Sequence, residues 1–142
     1  MSSTTQLKLS IVSQEKAMLS VDVDSITAET SQGEVTILPG HIPLFSQLVT
    51  GVLVYRQAKE EHSIVVSKGF LDVAPYNEVT VMVDTAVAAR DISEQKALDA
   101  IEAARETMLN TEDRQELLLA EASLKRAMLE LKVAKRSKKN TI

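Results

Sequence analysis

Apolar and polar residues alternate along the first 84 residues of the chain, in short segments rich in Val, Ile and Thr. An alternation with a period of two is typical of half-buried β-strands, because successive side chains of a strand point to opposite faces. Several short strands separated by Gly, Pro and Asn predict an antiparallel sandwich or flattened barrel. The predicted strands are residues 7–12, 23–30, 34–39, 51–57, 62–67, 70–74 and 78–84.

From about residue 92 the apolar positions recur at helical spacing instead. Asp91 followed by Glu94 resembles a capping box, which predicts a first helix from residue 92 or 93 to 109 and, after a short turn, a second over 112–136. Apolar residues three and four apart form one stripe on each helix and predict an antiparallel helical hairpin. The stripe residues are Ala97, Ile101, Ala104 and Met108, then Leu117, Ala120, Leu124, Ala127, Leu131 and Ala134.

The change of period predicts an α+β chain of two domains, a β-sandwich over residues 1–87 and a helical hairpin over 88–142. Alternating Leu and Ala allow the two helix axes to approach closely, but they give the hairpin a thin core of its own. We therefore expect the hairpin to be mobile unless it docks on another surface.

Composition removes several classes of protein. With 44% apolar but only 3% aromatic residues, the core must be built from aliphatic side chains. The absence of cysteine excludes disulfides, thiolate zinc sites and thiol nucleophiles. There is neither an apolar run long enough to span a membrane nor the apolar region of a secretory signal, so a soluble chain is expected. The net charge of −4 hides a basic end of the chain at Lys132, Lys135, Arg136, Lys138 and Lys139, which could meet nucleic acid or anionic lipid. Lysines at the end of a helix more often complement its dipole and stay solvated, so no nucleic-acid partner is expected.

Residues for catalysis or metal binding are not grouped in any recognisable motif. The four glycines form no phosphate-binding loop, and His41 and His62 are separated by a predicted strand with no cysteine nearby. No nucleophile motif frames a serine. We therefore predict no catalytic residue, no metal and no resident cofactor. An enzyme that uses His41 or His62 is an open alternative, and its turnover would be lost when either histidine is replaced by Ala.

The order of motifs resembles the epsilon subunit of the bacterial rotary ATP synthase over nearly the whole chain. The resemblance rests on "GEVTILPGHIPL", on "SKGF" at residues 67–70 and on "VDTA" at residues 83–86, followed by the Ala-rich hairpin. It implies a non-catalytic subunit of the central stalk of a proton-translocating ATP synthase. In that family the sandwich couples rotation of the c-subunit ring to the gamma subunit, and the hairpin opposes ATP hydrolysis when it extends toward the alpha/beta catalytic head.

The resemblance also implies which residues meet those partners. The interface with the c-ring and the gamma subunit would be formed by Glu34, Leu38, Pro39, Gly40, His41, Ile42 and Pro43. Contact with the membrane would occur only through the complex. The implied location is the cytoplasmic face of a bacterial plasma membrane, with the plastid thylakoid as the alternative.

Some members of the family bind ATP at the hairpin through an Ile/Leu-Asp-x-x-Arg-Ala motif. The matching positions here are Ile92, Lys96 and Ala97, with Arg126 on the second helix, while Ser93 and Lys96 replace the aspartate and the arginine of the motif. Lysine lacks the two-pronged guanidinium group, and Glu130 one turn beyond Arg126 would repel phosphate. ATP is therefore predicted to bind weakly as a regulatory ligand, or not at all.

A second function fits the same two segments. A free-standing β-sandwich adaptor could use the hairpin to bind an unrelated partner helix. Co-purification with the gamma subunit and the ATPase head would favour the stalk subunit, and failure to bind gamma would favour the adaptor.

Overall fold

The computed structural model describes residues 6–14 and 17–139, with side chains described as far as residue 136. The chain divides into two compact units between Val87 and Ala88. The first contains β1 (Leu7–Ser13), β2 (Ala17–Val23), β3 (Ser25–Thr30), β4 (Gly33–Ile37), β5 (Leu44–Leu48), β6 (Gly51–Gln57), β7 (Glu60–Val66), β8 (Gly69–Ala74), β9 (Glu78–Val83) and most of β10 (Ala86–Ala88). A 3₁₀ helix (Ala89–Asp91) precedes α1 (Glu94–Asn110) and α2 (Arg114–Lys139) in the second.

The strands form one nearly closed barrel, which confirms the predicted sandwich or flattened barrel. The strand order is β10-β7-β6-β3-β5-β8-β9-β1-β2, and β4 pairs with the edge of β3 opposite to β6. The chain bends at Asp24 between β2 and β3, where the Asp24 carboxylate accepts a hydrogen bond of 2.7 Å from the backbone N–H of Ala58 in the β6–β7 turn. The strand pair β1 and β9 departs from the predicted antiparallel arrangement, because these two strands run parallel to each other.

The core of the barrel is aliphatic, as the composition indicates. Alternate residues are buried in β1, β3, β6, β8 and β9, and Tyr55 is the one buried aromatic side chain among the described residues. The largest buried side chains are Leu7, Leu9, Ile11, Ile26, Ile37, Leu48, Leu53 and Leu71. In these strands the alternation seen in the sequence matches the buried face, whereas β7 buries the consecutive residues Ile64, Val65 and Val66.

Three strands were missing from the sequence prediction. β2 and β5 contain too few β-branched residues to be recognised, and β10 has only three residues. The predicted strand 23–30 begins instead at Ser25, because Asp24 forms the bend. These strands exist because neighbouring strands supply their hydrogen-bond partners, which a local pattern does not report.

The second unit is the predicted helical hairpin. Ser93, rather than Asp91, caps α1, and its Oγ accepts a hydrogen bond of 3.2 Å from the backbone N–H of Lys96. Asp91 belongs to the 3₁₀ helix, so the predicted capping box was wrong. At the start of α2, the Asp113 carboxylate accepts a hydrogen bond of 3.0 Å from the backbone N–H of Gln115.

The seam between the two helices is narrow. Its fully buried residues are small, while the Leu, Ile and Met residues of the stripe are only half-buried. The buried set is Ala97, Ala104, Ala120, Ala127, Val133 and Ala134. Other large apolar side chains of the hairpin are exposed: Leu98, Leu109, Leu118, Leu119 and Met128. Since a buried CH₂ or CH₃ group contributes about 0.8 kcal/mol, an alanine seam holds the helices together weakly.

Candidate functional site

A tight turn follows β4 and carries most of the residues that the resemblance assigned to an interface. The backbone N–H of His41 donates to the carbonyl of Leu38 at 3.0 Å. Pro39 fixes its own φ, and Gly40 has a φ of 85° that other residues rarely adopt. A proline followed by a glycine with positive φ is typical of a type II turn. The turn therefore has a defined shape.

A second turn, residues 75–77 between β8 and β9, lies beside the first. The side-chain oxygen of Asn77 accepts a hydrogen bond of 2.7 Å from the backbone N–H of Gly40. The carbonyl of Asn77 accepts 2.8 Å from the backbone N–H of Lys8 at the start of β1. We call residues 38–43 together with residues 75–77 the end loops. Asn77 links the two loops, so they present one surface.

The end loops expose three large side chains. Leu38 is 55% exposed, Ile42 is 74% exposed and Tyr76 is 96% exposed. His41 is half-buried, and its Nδ1 lies 2.6 Å from the carbonyl of Ile42. Because a carbonyl only accepts, Nδ1 carries the hydrogen and Nε2 is the ring nitrogen that can meet a partner. The exposed apolar side chains and the ring nitrogen of His41 are therefore suited to binding a partner protein.

Glu34 lies on β4 rather than in the end loops. It is directly opposite Glu29 on β3, and both carboxylates are exposed. The Glu29 side chain crosses the backbone of Gly51, where a β-carbon would collide with it. Two carboxylates facing each other across neighbouring strands repel, so a cationic or hydrogen-bond-donating partner would stabilise this pair.

The outer face of the barrel carries an exposed apolar patch that the sequence prediction missed. We call Val12, Phe45, Phe70 and Met82 the outer patch. Met82 is directly opposite both Phe70 on β8 and Val12 on β1. The rings of Phe45 and Phe70 stack with centroids 5.4 Å apart. Phe45 is 62% and Phe70 is 45% exposed. Neighbouring apolar side chains in contact and open to solvent are typical of an interface.

A signal for the outer patch is present in the sequence. In β8 and β9 the inward positions are Leu71, Val73, Val79, Val81 and Val83, so the alternation requires polar residues at the positions between them. Phe70 and Met82 occupy such outward positions. An apolar residue on the polar side of a strict alternation is therefore the feature that could have predicted this surface.

The residues matched to a nucleotide motif lie around the start of α1 and on α2, the two helices of the hairpin. Ala97 is buried in the seam between the helices, and Lys96 is exposed. Arg126 lies on α2, where its Nε is 3.5 Å from a carboxylate oxygen of Glu130. Its guanidinium is thus paired with an acidic side chain at the place where an anion would bind.

We predict that the full chain does not bind ATP with low-micromolar affinity. The Glu130 carboxylate competes for Arg126 and repels phosphate, and Lys96 presents a single ammonium group instead of a planar fork. Isothermal titration calorimetry with ATP measures the affinity. Glu130→Gln removes the repulsion and is expected to bind more tightly than the unmodified chain. A dissociation constant in the low micromolar range for the unmodified chain would contradict the prediction.

Two other features, a metal site and a membrane-spanning helix, are absent from the part of the chain that the structure describes. Within residues 6–14 and 17–139, no three His, Asp or Glu side chains are grouped as a metal site requires. Among the same residues, no helix is long and apolar enough to cross a membrane.

The chain resembles a known protein family along its barrel. The profile of the family described as "ATP synthase, Delta/Epsilon chain, beta-sandwich domain" matches residues 6–89. The "ATP synthase epsilon chain" of Dehalococcoides mccartyi (strain CBDB1) is 40% identical over 136 residues, which are 95% of this chain and 96% of the relative. The protein of the same name from Syntrophobacter fumaroxidans is 37% identical over 132 residues, 93% of this chain and 98% of the relative.

Solved structures share the fold. A chain in the Euglena gracilis mitochondrial ATP synthase, described as OSCP/F1/c-ring in rotational state 1, has a TM-score of 0.73 and 26% identity, with 94% of this chain and 81% of that chain covered. A chain in the central stalk and c-ring of the Tetrahymena thermophila mitochondrial ATP synthase has a TM-score of 0.62 over 94% of this chain and 99% of that chain. Its 15% identity indicates a common fold alone.

Proposed function

From the premise that this chain belongs to the ATP synthase delta/epsilon chain family, we propose that its barrel and its hairpin have different tasks in the central stalk. The chain is a non-catalytic subunit of the ATP synthase, a membrane-associated complex. The barrel couples rotation of the c-subunit ring to the gamma subunit, and the hairpin opposes ATP hydrolysis. The free-standing adaptor is not favoured, because relatives named epsilon chain match along nearly the whole sequence.

The observation that carries the coupling role is that the barrel has two separate surfaces suited to partners. The outer patch is apolar and lies on the face of β1, β5, β8 and β9. We assign it to the gamma subunit, since apolar contact suits a partner that stays bound. The end loops combine exposed Leu38, Ile42 and Tyr76 with the polar His41, and Glu34 on β4 adds a carboxylate, so we assign them together to the c-ring. A rigid barrel that holds both partners transmits rotation between them.

The hairpin supports an inhibitory role through its exposed leucines and its weak seam. Leu118 and Leu119 on α2 are 55% and 66% exposed, so α2 can offer apolar contacts to the alpha/beta catalytic head. A hairpin held by alanines can change its docking partner at a cost of a few kcal/mol. We place the complex at the cytoplasmic face of a bacterial plasma membrane.

We expect Glu34→Lys to uncouple the enzyme partially. The substitution removes the acidic partner at the c-ring surface, and reversal of an exposed charge contact weakens binding by about 1 kcal/mol, roughly fivefold. In inverted membrane vesicles, proton pumping per ATP hydrolysed is expected to fall while the ATPase rate is retained. Pumping can be followed by fluorescence quenching.

Glu60→Lys is the matched control, because it makes the same charge change at an exposed position at the start of β7. It is expected to pump normally. Normal pumping by Glu34→Lys would remove Glu34 from the coupling surface. Failure of the unmodified chain to co-purify with gamma and the c-ring would instead overturn the proposed function.

A further inference from the structure

The turn at residues 75–77 contains a tyrosine in an unfavourable backbone conformation. Tyr76 has a φ of 66°, and Asn77, which follows it, has a φ of 62°. Asparagine is several-fold enriched in this left-handed region, whereas a bulky aromatic residue is an outlier there. Glycine would occupy the same position without a steric penalty.

The conformation of Asn77 has a clear use within the barrel, and that of Tyr76 does not. Asn77 holds the end loops together through the backbone N–H of Gly40 and receives a bond from Lys8. Tyr76 is 96% exposed, so its side chain makes almost no packing contact that would offset the strain. Strained residues of this kind persist most often where function needs them. An exposed tyrosine at a strained tip is suited to contact with a partner.

We propose that Tyr76 is a specificity-determining contact for the c-subunit ring. The proposal rests on the proposed function, in which the end loops face the ring. Tyr76 follows β8 in the turn that Asn77 ties to Gly40, so it faces the partner of residues 38–43. With the exposed Leu38 and Ile42 it fits a polypeptide loop that offers an apolar cleft and an acceptor for the phenol hydroxyl. Rigid aromatic side chains are enriched among the residues that dominate binding.

Charge and position favour the ring over a lipid surface or the gamma subunit. The first 84 residues carry ten acidic and five basic side chains, which disfavours binding to anionic lipid. The outer patch begins at Phe70, near the other end of β8. At about 3.3 Å per residue along a strand, Phe70 lies roughly 13 Å from Ala74, where β8 ends and the turn with Tyr76 begins. A gamma-subunit contact centred on Phe70 and Met82 therefore leaves Tyr76 beyond the end of the strand.

The test uses the full chain assembled with the gamma subunit and presented with the c-ring in lipid nanodiscs. Tyr76→Gly is compared with Tyr76→Phe, which keeps the aromatic ring. Tyr76→Gly is expected to weaken ring binding by about tenfold or more. It is also expected to raise the melting temperature of the free chain by about 2–4 °C, because strain is relieved. The ring affinity of Tyr76→Phe is expected to stay within about threefold of that of the unmodified chain, because only one exposed hydrogen bond is lost.

The outcomes separate this proposal from the proposed function. Ring binding by Tyr76→Gly equal to that of the unmodified chain would overturn the role of Tyr76. The role would be equally overturned by a loss confined to gamma affinity, or by a loss that also occurs with empty nanodiscs. If the unmodified stalk itself does not bind the ring, the proposed function fails, and this is seen before any variant is made. A higher melting temperature together with weaker ring binding is the result that a purely structural role cannot produce.

Discussion

Phe70→Asp is expected to release the chain from the gamma subunit. The substitution places a carboxylate in the middle of the outer patch, beside Phe45 and opposite Met82. Burial of an unpaired charge at an apolar interface, with loss of an aromatic anchor, costs about 2–4 kcal/mol, a roughly 30- to 1000-fold loss of affinity. Surface plasmon resonance with immobilised gamma subunit measures this affinity directly.

Two variants control for charge and for folding. Lys59→Asp changes the net charge more than Phe70→Asp does, but it lies in the exposed β6–β7 turn, so gamma affinity is expected to be retained. Phe70→Leu keeps an apolar side chain and is expected to lose less than tenfold. Since Phe70 is 45% exposed, the melting temperature of Phe70→Asp is expected to stay close to that of the parent. Unchanged gamma affinity would show that the outer patch is not this interface.

Removal of the hairpin is expected to raise the ATPase rate of the assembled complex. A chain that ends at Ala88 keeps β10 and the whole barrel core and lacks both helices. If the hairpin contacts the catalytic head, its removal ends the inhibition of ATP hydrolysis. The ATPase rate is then expected to rise roughly fivefold or more, since fivefold is the lower end of the effects typical of coupling between two sites of a protein. A coupled-enzyme assay of the purified complex gives the rate.

The same truncated chain tests the division into domains. Its circular dichroism spectrum is expected to keep the β signal and lose the helical one, because the barrel core contains no helical residue. Loss of the β signal would show that the barrel depends on the hairpin. Leu118→Ser with Leu119→Ser in the full chain removes two exposed leucines and keeps the helices. This variant is expected to reproduce part of the rise in rate. An unchanged rate in the truncated complex would exclude inhibition by the hairpin.

The barrel and the hairpin were predictable because their periodicities come directly from burial. Leu7, Leu9 and Ile11 alternate with exposed or half-exposed residues, and Ala97 and Ala104 follow the helical repeat. The missing strands depend on partners far away in the sequence. Leu44 to Leu48 of β5 pair with residues 69–73 of β8, which no local window contains. The same is true of the parallel pairing of β1 with β9.

The candidate site was predictable in composition and not in geometry. The residues "LPGH" at 38–41 predicted the turn, and the resemblance to the epsilon subunit supplied its expected partners, the c-ring and the gamma subunit. The sequence predicted a turn at residues 75–77, between the strands 70–74 and 78–84. The bond from Gly40 to Asn77 joins residues 37 positions apart in the chain, so the contact between the two end loops and the role of Tyr76 were not foreseen. The outer patch also required the sheet, because Val12 and Met82 become neighbours only when β1 lies beside β9.

The parallel pairing of β1 with β9 also bears on how the chain folds. β1 can pair with β2 as soon as both are synthesised, but its other edge has no partner until residues 78–83 exist. Contacts between distant segments slow folding, because the intervening loop must close first. The hydrogen bonds within α1 and within α2 are local, so each helix can form early. During synthesis the N-terminal strand therefore keeps an open, aggregation-prone edge until most of the chain has been made.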